Sequence, residues 1–384
     1  MRLRFLSCMA LLMPVLSISV SAGEVKFEKI VVDYTFRAEG VATGDIDKDG
    51  DIDIFAGDIW YEAPDWKIHE IRDVGQYDGT KGYSRCFANF AQDVNGDGWI
   101  DSIVVEIPGD PCKWYENPQG KDAHWKERMI WTSACNETPI FEDLLGTGKK
   151  VLTFGVYDDQ KLAWFSIPKD LEGKWDAHWI SGPKSPGAER FSHGLGIGDI
   201  NSDGRNDVII IQGWYEAPED RARTEWTFHK TYLGPEASTM FAYDVDGDGD
   251  SDVISTSAHA YGMWWFEQKK TEKGIEFKEH MICNDFSQTH AVCLVDINGD
   301  GIKDIVTGKR FFAHQGGDPG AKEPAMLYWF ELIRPEPGKV KFIRHEIDSD
   351  SGVGTQFEMA DMNGDGKPDV VTSNKKGVRV FIQK

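Results

Sequence analysis

Residues 296–308 read Asp-Ile-Asn-Gly-Asp-Gly-Ile-Lys-Asp-Ile-Val-Thr-Gly, an acidic stretch of nine residues that runs straight into a short β-branched one. The same pattern, Asp-x-Asp/Asn-x-Asp-Gly-x-x-Asp, begins again at Asp45, Asp93, Asp199, Asp244 and Asp361. Each of those copies also leads into a strand-like segment, IFAG, SIVVE, VIIIQ, VISTS and VVTS in turn. A worn seventh copy begins at Asp143; it keeps Gly146 and Gly148 but has Leu145, Thr147 and Val151 where the others have acidic or amide residues.

Each intact copy places hard oxygen donors at positions 1, 3, 5 and 9 and a glycine at position 6 for a sharp turn, which is the ligand logic of a calcium loop. The candidate ligands are Asp45, Asp47, Asp49 and Asp53 in the first loop and Asp93, Asn95, Asp97 and Asp101 in the second. Asp199, Asn201, Asp203 and Asp207 follow, then Asp244, Asp246, Asp248 and Asp252. The last two sets are Asp296, Asn298, Asp300 and Asp304, and Asp361, Asn363, Asp365 and Asp369. Zinc would call for His or Cys. A helix-flanked calcium loop would close with Glu at position 12, where this chain has Ala56, Val104, Ile210, Ser255, Thr307 and Thr372. A metal-free acidic turn would leave these charges to repel one another. About six structural Ca2+ sites are expected, with the worn copy empty.

Successive loops start 48, 50, 56, 45, 52 and 65 residues apart, a period that holds one four-stranded blade. One strand enters the loop and the next leaves it. A third carries an aromatic ruler: Trp60-Tyr61-Glu62, Trp114-Tyr115-Glu116, Trp164-Phe165-Ser166, Trp214-Tyr215-Glu216, Trp265-Phe266-Glu267 and Trp329-Phe330-Glu331, with Val380-Phe381-Ile382 in the last repeat. An aromatic recurring once per repeat is expected to pack between blades. Outer strands are expected at 66–71, 125–130, 175–180, 226–233, 277–282 and 342–347. The seventh repeat lacks its outer strand, and residues 27–32, Phe-Glu-Lys-Ile-Val-Val, resemble one. The fold expected is all-β: a seven-bladed β-propeller of four-stranded blades, closed by the N-terminal strand completing the last blade.

Met1 to Ala22 read as a signal peptide, with Arg2 and Arg4 before an apolar run and Val20-Ser21-Ala22 before Gly23, so residues 23–384 form a single exported domain, secreted or periplasmic. No later stretch is apolar enough to span a bilayer. The formal charge of −22 is concentrated in the acidic loops, and no basic stripe with interleaved aromatics suggests nucleic acid. Of the cysteines left after processing, Cys86 and Cys112 could bridge within one blade or remain buried thiols.

The loops and the strands that follow them resemble FG-GAP/VCBS repeats, which build the calcium-bearing propellers of integrin α chains and of many secreted bacterial proteins. The Trp-Tyr-Glu-x-Pro signature, as at residues 60–64 and 214–218, is closer to the bacterial secreted proteins and to the propeller part of aldos-2-ulose dehydratase. The resemblance implies a propeller with filled calcium loops.

Scaffold residues repeat, so functional groups are sought where one blade departs from the others. Six residues before each loop stand Glu39, Phe87, Glu137, His193, Ser238, His290 and Thr355. Two His and two Glu at equivalent positions around a ring can converge on the channel mouth, opposite the calcium loops, where they suit an additional divalent metal or an acid/base pair. On that face also lie Ser257-Ala258-His259-Ala260-Tyr261-Gly262, a long insert over 308–325 with Lys309, Arg310, His314 and Asp318, then Gln356, and the turn Asn374-Lys375-Lys376. His69, His178, His229, His280 and His345 fall in outer strands and are expected at the surface or edge.

Two functions fit. One is a carbon–oxygen lyase or dehydratase acting on a sugar or polysaccharide: His193 and His290 bind a metal or act as base, His259, Tyr261 or His314 donate protons, and Lys309 and Arg310 hold an oxyanion or carboxylate, with Gln356 facing the same mouth. The other is a non-catalytic propeller that binds a polysaccharide or a protein.

Overall fold

Glycine at position 6 and carboxylates at the odd positions turn each acidic stretch into a tight hairpin connection. In the loop at Asp296, for example, its carboxylate accepts the N–H groups of Gly299 (2.8 Å) and Gly301 (2.8 Å), while Asp300 accepts that of Ile302 (2.8 Å). The strands on either side are antiparallel neighbours, Ala291–Val295 and Asp304–Gly308, paired from Ala291↔Gly308 to Val295↔Asp304.

The computed structural model describes residues 25–384, so the expected signal peptide over 1–22 lies outside the described residues. Among them, five sheets have four strands each and a sixth has eight. The eight-stranded sheet is two four-stranded meanders joined by a parallel pair, Leu195–Gly198 beside Thr239–Tyr243. The protein is therefore all-β, a propeller-like arrangement of four-stranded blades. Strand Phe27–Asp33 pairs antiparallel with the C-terminal strand Gly377–Gln383, from Phe27↔Gln383 to Val31↔Arg379, and completes the sheet of Glu358–Ala360 and Asp369–Asn374. No helix among the described residues is long and apolar enough to cross a membrane.

The ninth residue of each loop does more than close a turn. Asp53, Asp101, Asp207, Asp252, Asp304 and Asp369 are all buried. In every one, Oδ2 accepts the N–H at loop position 2, from Ile46, Val94, Ile200, Val245, Ile297 and Met362, at 2.8–3.1 Å. Oδ1 accepts an N–H from the third strand or the residue after it, from Ala63, Asn117, Ala217, Gln268, Leu332 and Gln383, at 2.7–2.9 Å. One carboxylate thus ties three segments of a blade together. The worn copy has buried Val151 there and relies on apolar packing instead.

The aromatic ruler is buried, as its periodicity predicts. The outer-strand histidines lie in edge strands and are partly exposed, as expected, and each also has a partner within its blade. Each lies directly across from the ruler tryptophan, as in Trp60↔His69, Trp164↔His178, Trp214↔His229, Trp265↔His280 and Trp329↔His345. The rings stack with centroids 3.7–4.4 Å apart. Four of these imidazoles also reach the ruler glutamate, His69–Glu62 at 2.5 Å, His229–Glu216 at 2.6 Å, His280–Glu267 at 2.7 Å and His345–Glu331 at 3.0 Å. In the second blade Arg128 takes that place over Trp114 and pairs with Glu116. Such cross-strand pairs stabilise a sheet by roughly 0.2–1 kcal/mol each.

Cys86 and Cys112 are free thiols, so the possible bridge between them is absent. They face different apolar clusters, Cys86 with Ala38 and Phe55 and Cys112 with Ile103 and Trp114.

Burial and neighbouring acids push Asp53, Asp101, Asp207, Asp252 and Asp304 up to about 7. Carboxyls raised in this way stabilise the metal-free fold most below pH 4, and that contribution is lost as pH rises through about 7; a bound cation reverses the preference. In chelator, the melting temperature is expected to fall between pH 5 and pH 8, and the increase produced by millimolar calcium is expected to grow over the same range. A calcium-induced increase that is equal at both pH values would rule out these carboxylates as the linked groups.

Candidate functional site

The innermost strands begin beside one another, and backbone bonds stitch their approaches from blade to blade. Glu39 donates its N–H to the Cys86 carbonyl at 2.9 Å, and its own carbonyl accepts the Thr355 N–H at 2.9 Å. The Glu137 N–H reaches Ser192 O at 3.2 Å, and the Arg310 N–H reaches Gln288 O at 2.8 Å. Gly354 permits this approach, since a Cβ there would stand 1.8 Å from the Glu39 carbonyl oxygen.

From this ring Glu137, His193 and His290 turn inward, and His259 joins them from the connection after Asp252–Thr256. Each offers one ligand atom, and the four atoms lie within 4.8 Å of one another. His193 Nδ1 is 2.6 Å from the Phe191 carbonyl, so it donates there and leaves Nε2 as a lone pair. His259 Nδ1 stands 3.3 Å from Asp318 Oδ2, which again leaves Nε2 free. The two Nε2 atoms face each other at 2.7 Å. Two lone pairs at that distance need a proton or a cation between them.

Arg310 lies beneath, 1 % exposed, with Glu39 and His290 at 0 %. Its Nη1 is 2.9 Å from Glu137 Oε2 and 2.9 Å from His290 Nε2, and its Nε is 3.7 Å from Glu39 Oε2. The guanidinium packs against the rings of Tyr83 and Phe87. Burial, then the Arg310 charge, hold His290 well below its ordinary value, so it is neutral. Burial works against ionisation of Glu137, but the hydrogen bond with His290 and the Arg310 charge outweigh it and hold that carboxyl well below the usual range. Burial raises Glu39, and Arg310 and Lys375 offset this only in part. His259 is lowered by burial and by His193. Both oxygens of Glu39, Nδ1 of His290, and Nε and Nη2 of Arg310 are buried without a partner.

The insert over 308–325 roofs this cluster. His314 stacks on His259 with centroids 4.5 Å apart, and its Nδ1 is 2.9 Å from Asp318 Oδ1. Phe312, His314 and Gln315 adopt left-handed backbone conformations, with φ of 56°, 46° and 53°, at a cost of about 1–3 kcal/mol each. Side chains from several blades hold the segment there. Tyr83 Oη accepts the His314 N–H at 3.1 Å, Lys375 Nζ donates to the Phe312 carbonyl at 3.0 Å, and Lys309 Nζ donates to the Gly320 carbonyl. Tyr261 donates to Glu323 at 2.5 Å, which raises its phenol. Burial lowers the Lys309 ammonium.

Of the residues singled out in the sequence, the structure brings His193, His290, His259 and Arg310 into one cluster and sets His314, Lys309 and Tyr261 at its roof. Gln356 is not among them: its Oε1 accepts the Val41 N–H at 2.8 Å and the Asn89 N–H at 3.3 Å, bracing the channel wall. Glu137 is central, and its signal was its place six residues before the loop, shared with His193 and His290. Tyr83 and Glu323 carried no periodic signal, since both lie in connections.

Three imidazoles and a carboxylate form a donor set suited to zinc or another divalent transition ion, with the outer nitrogens of His193 and His259 bonded and that of His290 unpartnered. The acidic loops are a different, all-oxygen environment. Asp45, Asp47 and Asp53, and likewise Asp244, Asp246 and Asp248, gather their carboxylate oxygens within 4.8 Å, and Asp45 Oδ1 is buried without a partner. Both triads suit calcium.

Residues 244–307 match the FG-GAP-like repeat family. No curated protein matches the chain. Among solved structures, a lectin of Agrocybe aegerita that recognises non-reducing terminal N-acetylglucosamine is similar at 14 % identity, over 94 % of this chain and 85 % of that one, with a TM-score of 0.46. The exotype rhamnogalacturonan lyase YesX is similar at 14 % identity, over 91 % and 72 %, with a TM-score of 0.45. The V. cholerae biofilm matrix protein Bap1 is similar at 10 % identity, over 91 % and 88 %, with a TM-score of 0.42.

Arg310 is the cation that compensates two buried carboxyls. Arg310→Met is expected to destabilise the protein by about 3–5 kcal/mol, read as a lower urea midpoint at pH 7. A loss below about 1 kcal/mol would show that Glu137 does not depend on this guanidinium.

Proposed function

We propose that this chain is an exported seven-bladed propeller, closed by its N-terminal strand, with about six calcium loops on one face and a divalent metal centre at the opposite channel mouth. Glu137, His193, His259 and His290 would hold that metal, and the centre serves a carbon–oxygen lyase or dehydratase acting on a sugar or polysaccharide. The observation that carries the reading is the pair of Nε2 atoms 2.7 Å apart, each ring held by its other nitrogen, beside Glu137 and His290.

The metal, when bound, supplies polarisation of a carbonyl and stabilises the negative charge that develops beside it. The chain supplies the rest. His314 has a side chain 47 % exposed, with Nδ1 bonded to Asp318, so its Nε2 is free at the mouth to take a carbon-bound proton. Tyr261, whose hydroxyl donates to Glu323 of the insert, would give a proton to the leaving oxygen. Arg310 is already shared between Glu137 and His290, so its task is to keep the cluster neutral and rigid rather than to hold a substrate carboxylate. Lys309 is likewise engaged, donating to the Gly320 carbonyl, so it would hold an oxyanion only by exchanging that bond. Its buried, lowered ammonium faces Glu323 at 3.5 Å.

A second reading, a propeller that binds a polysaccharide or protein without reaction, is favoured by the depth of Glu39, His290 and Arg310. In it the metal would be a fixed part of the channel.

The two part on measurement. The purified chain is expected to carry one non-calcium divalent ion, lost in His193→Ala and His290→Ala, and to convert a member of a panel of keto-sugars and uronate polysaccharides. His314→Ala is expected to lower kcat by about 100-fold or more while the metal stays bound. Metal present with no substrate consumed favours the binding reading; no metal at all overturns both.

A further inference from the structure

The roof of the site is joined to its centre through one side chain. Asp318 sits on the insert, largely buried, and three donors converge on its carboxylate. His259 Nδ1 is 3.3 Å from Oδ2, Gln288 Nε2 donates to Oδ2 at 3.0 Å, and His314 Nδ1 is 2.9 Å from Oδ1. The backbone around Gln288 is pinned in turn, since its N–H donates to the Ala260 carbonyl at 3.0 Å and its carbonyl accepts the Arg310 N–H at 2.8 Å. A carboxylate can only accept. It therefore requires both imidazoles to carry their proton on Nδ1, which turns the Nε2 lone pair of His259 toward His193 and that of His314 toward the mouth.

We infer that Asp318 is the positioning residue of the metal centre, and that through it the insert over 308–325 is coupled to metal occupancy. The inference rests on the metal reading above. It adds that a residue outside the ligand set decides how well the metal is held and that the metal in turn holds the roof down. The physical reason is orientation. A metal-bound imidazole whose second nitrogen is bonded to a carboxylate is fixed in tautomer and ring angle, and removing such a partner typically costs about 10–100-fold in metal affinity. The coupling follows because the insert is held in a strained conformation with three left-handed residues, Phe312, His314 and Gln315, between its fastenings. Asp318 is the fastening that reaches the centre itself.

Asparagine at this position cannot accept from both imidazoles, because one of its two terminal atoms is a donor. With the calcium loops filled, Asp318→Asn is expected to bind Zn2+ about 10–100-fold more weakly than the unaltered chain, with the melting temperature of the zinc-free proteins the same. Asp318→Glu is expected to recover part of the loss. Zinc is expected to slow tryptic cleavage after Lys322, an exposed residue of the insert, in the unaltered chain and to leave the rate unchanged in Asp318→Asn. As a check that needs no variant, the 15N spectrum of the zinc-free chain should show His259 and His314 protonated on Nδ1.

Equal zinc affinity in Asp318→Asn and the unaltered chain overturns the inference while leaving the metal centre intact. So does a second equivalent of zinc lost in both Asp318→Asn and His314→Ala, since Asp318 would then be a ligand. An Nε2–H form of His259 overturns it as well. If the unaltered chain takes up no zinc or other transition ion, the metal reading fails, and this inference falls with it.

Discussion

A buried carboxylate that accepts two backbone N–H groups, one from the start of the loop and one from the third strand or the residue after it, is the contact on which every repeat but the worn one depends. It occurs six times with nearly the same distances, at Asp53, Asp101, Asp207, Asp252, Asp304 and Asp369. Unpaired buried N–H groups are costly, and a buried charge is costly too, so each such repeat satisfies one with the other. The arrangement also explains why the loops are acidic beyond what a turn requires. A carboxylate held below the protein surface beside two or three others is tolerated best when a cation shares it. The strand-tying carboxylate is thus also one of the candidate metal ligands of its loop.

The opposite face follows a different electrostatic logic. Around Arg310 the described residues place two buried carboxyls and three imidazoles, and neutrality is reached by ionising Glu137, leaving His290 uncharged and raising Glu39. This arrangement relies on the ring of inner strands, because Glu39, Glu137, His193, His290 and Arg310 come from four different blades and the insert. Backbone bonds such as Thr355 N–H to Glu39 O hold their starting points in place. Polar atoms left unpartnered in a dry cluster of this kind mark where an ion or ordered water belongs.

Much of this was legible in the chain itself. The period of the acidic loops and of the aromatic ruler anticipated the number of strands per blade, the outer strands, and the pairing of Phe27–Asp33 with the last sheet. The fixed offset of Glu39, Glu137, His193 and His290 anticipated their convergence. The histidines of the outer strands were harder to read, because the spacing between Trp and His in sequence differs among blades and only hairpin register sets them face to face. The free state of Cys86 and Cys112 was equally hidden, since two cysteines of one blade can point to different neighbours.

What the sequence determined by itself was everything that repeats. Periodicity is a local property, and the same hydrogen bonds recur wherever Asp-x-Asp/Asn-x-Asp-Gly-x-x-Asp is followed by a strand. What only the tertiary structure decided was the tautomers of His193 and His259, the shared role of Asp318, the bracing of Gln356 and the pairing of Arg310. Those depend on groups far apart in the chain, such as Glu137 and Arg310 at 2.9 Å. Ring closure brings them together, and no spacing along the sequence encodes the direction in which a side chain turns once it arrives.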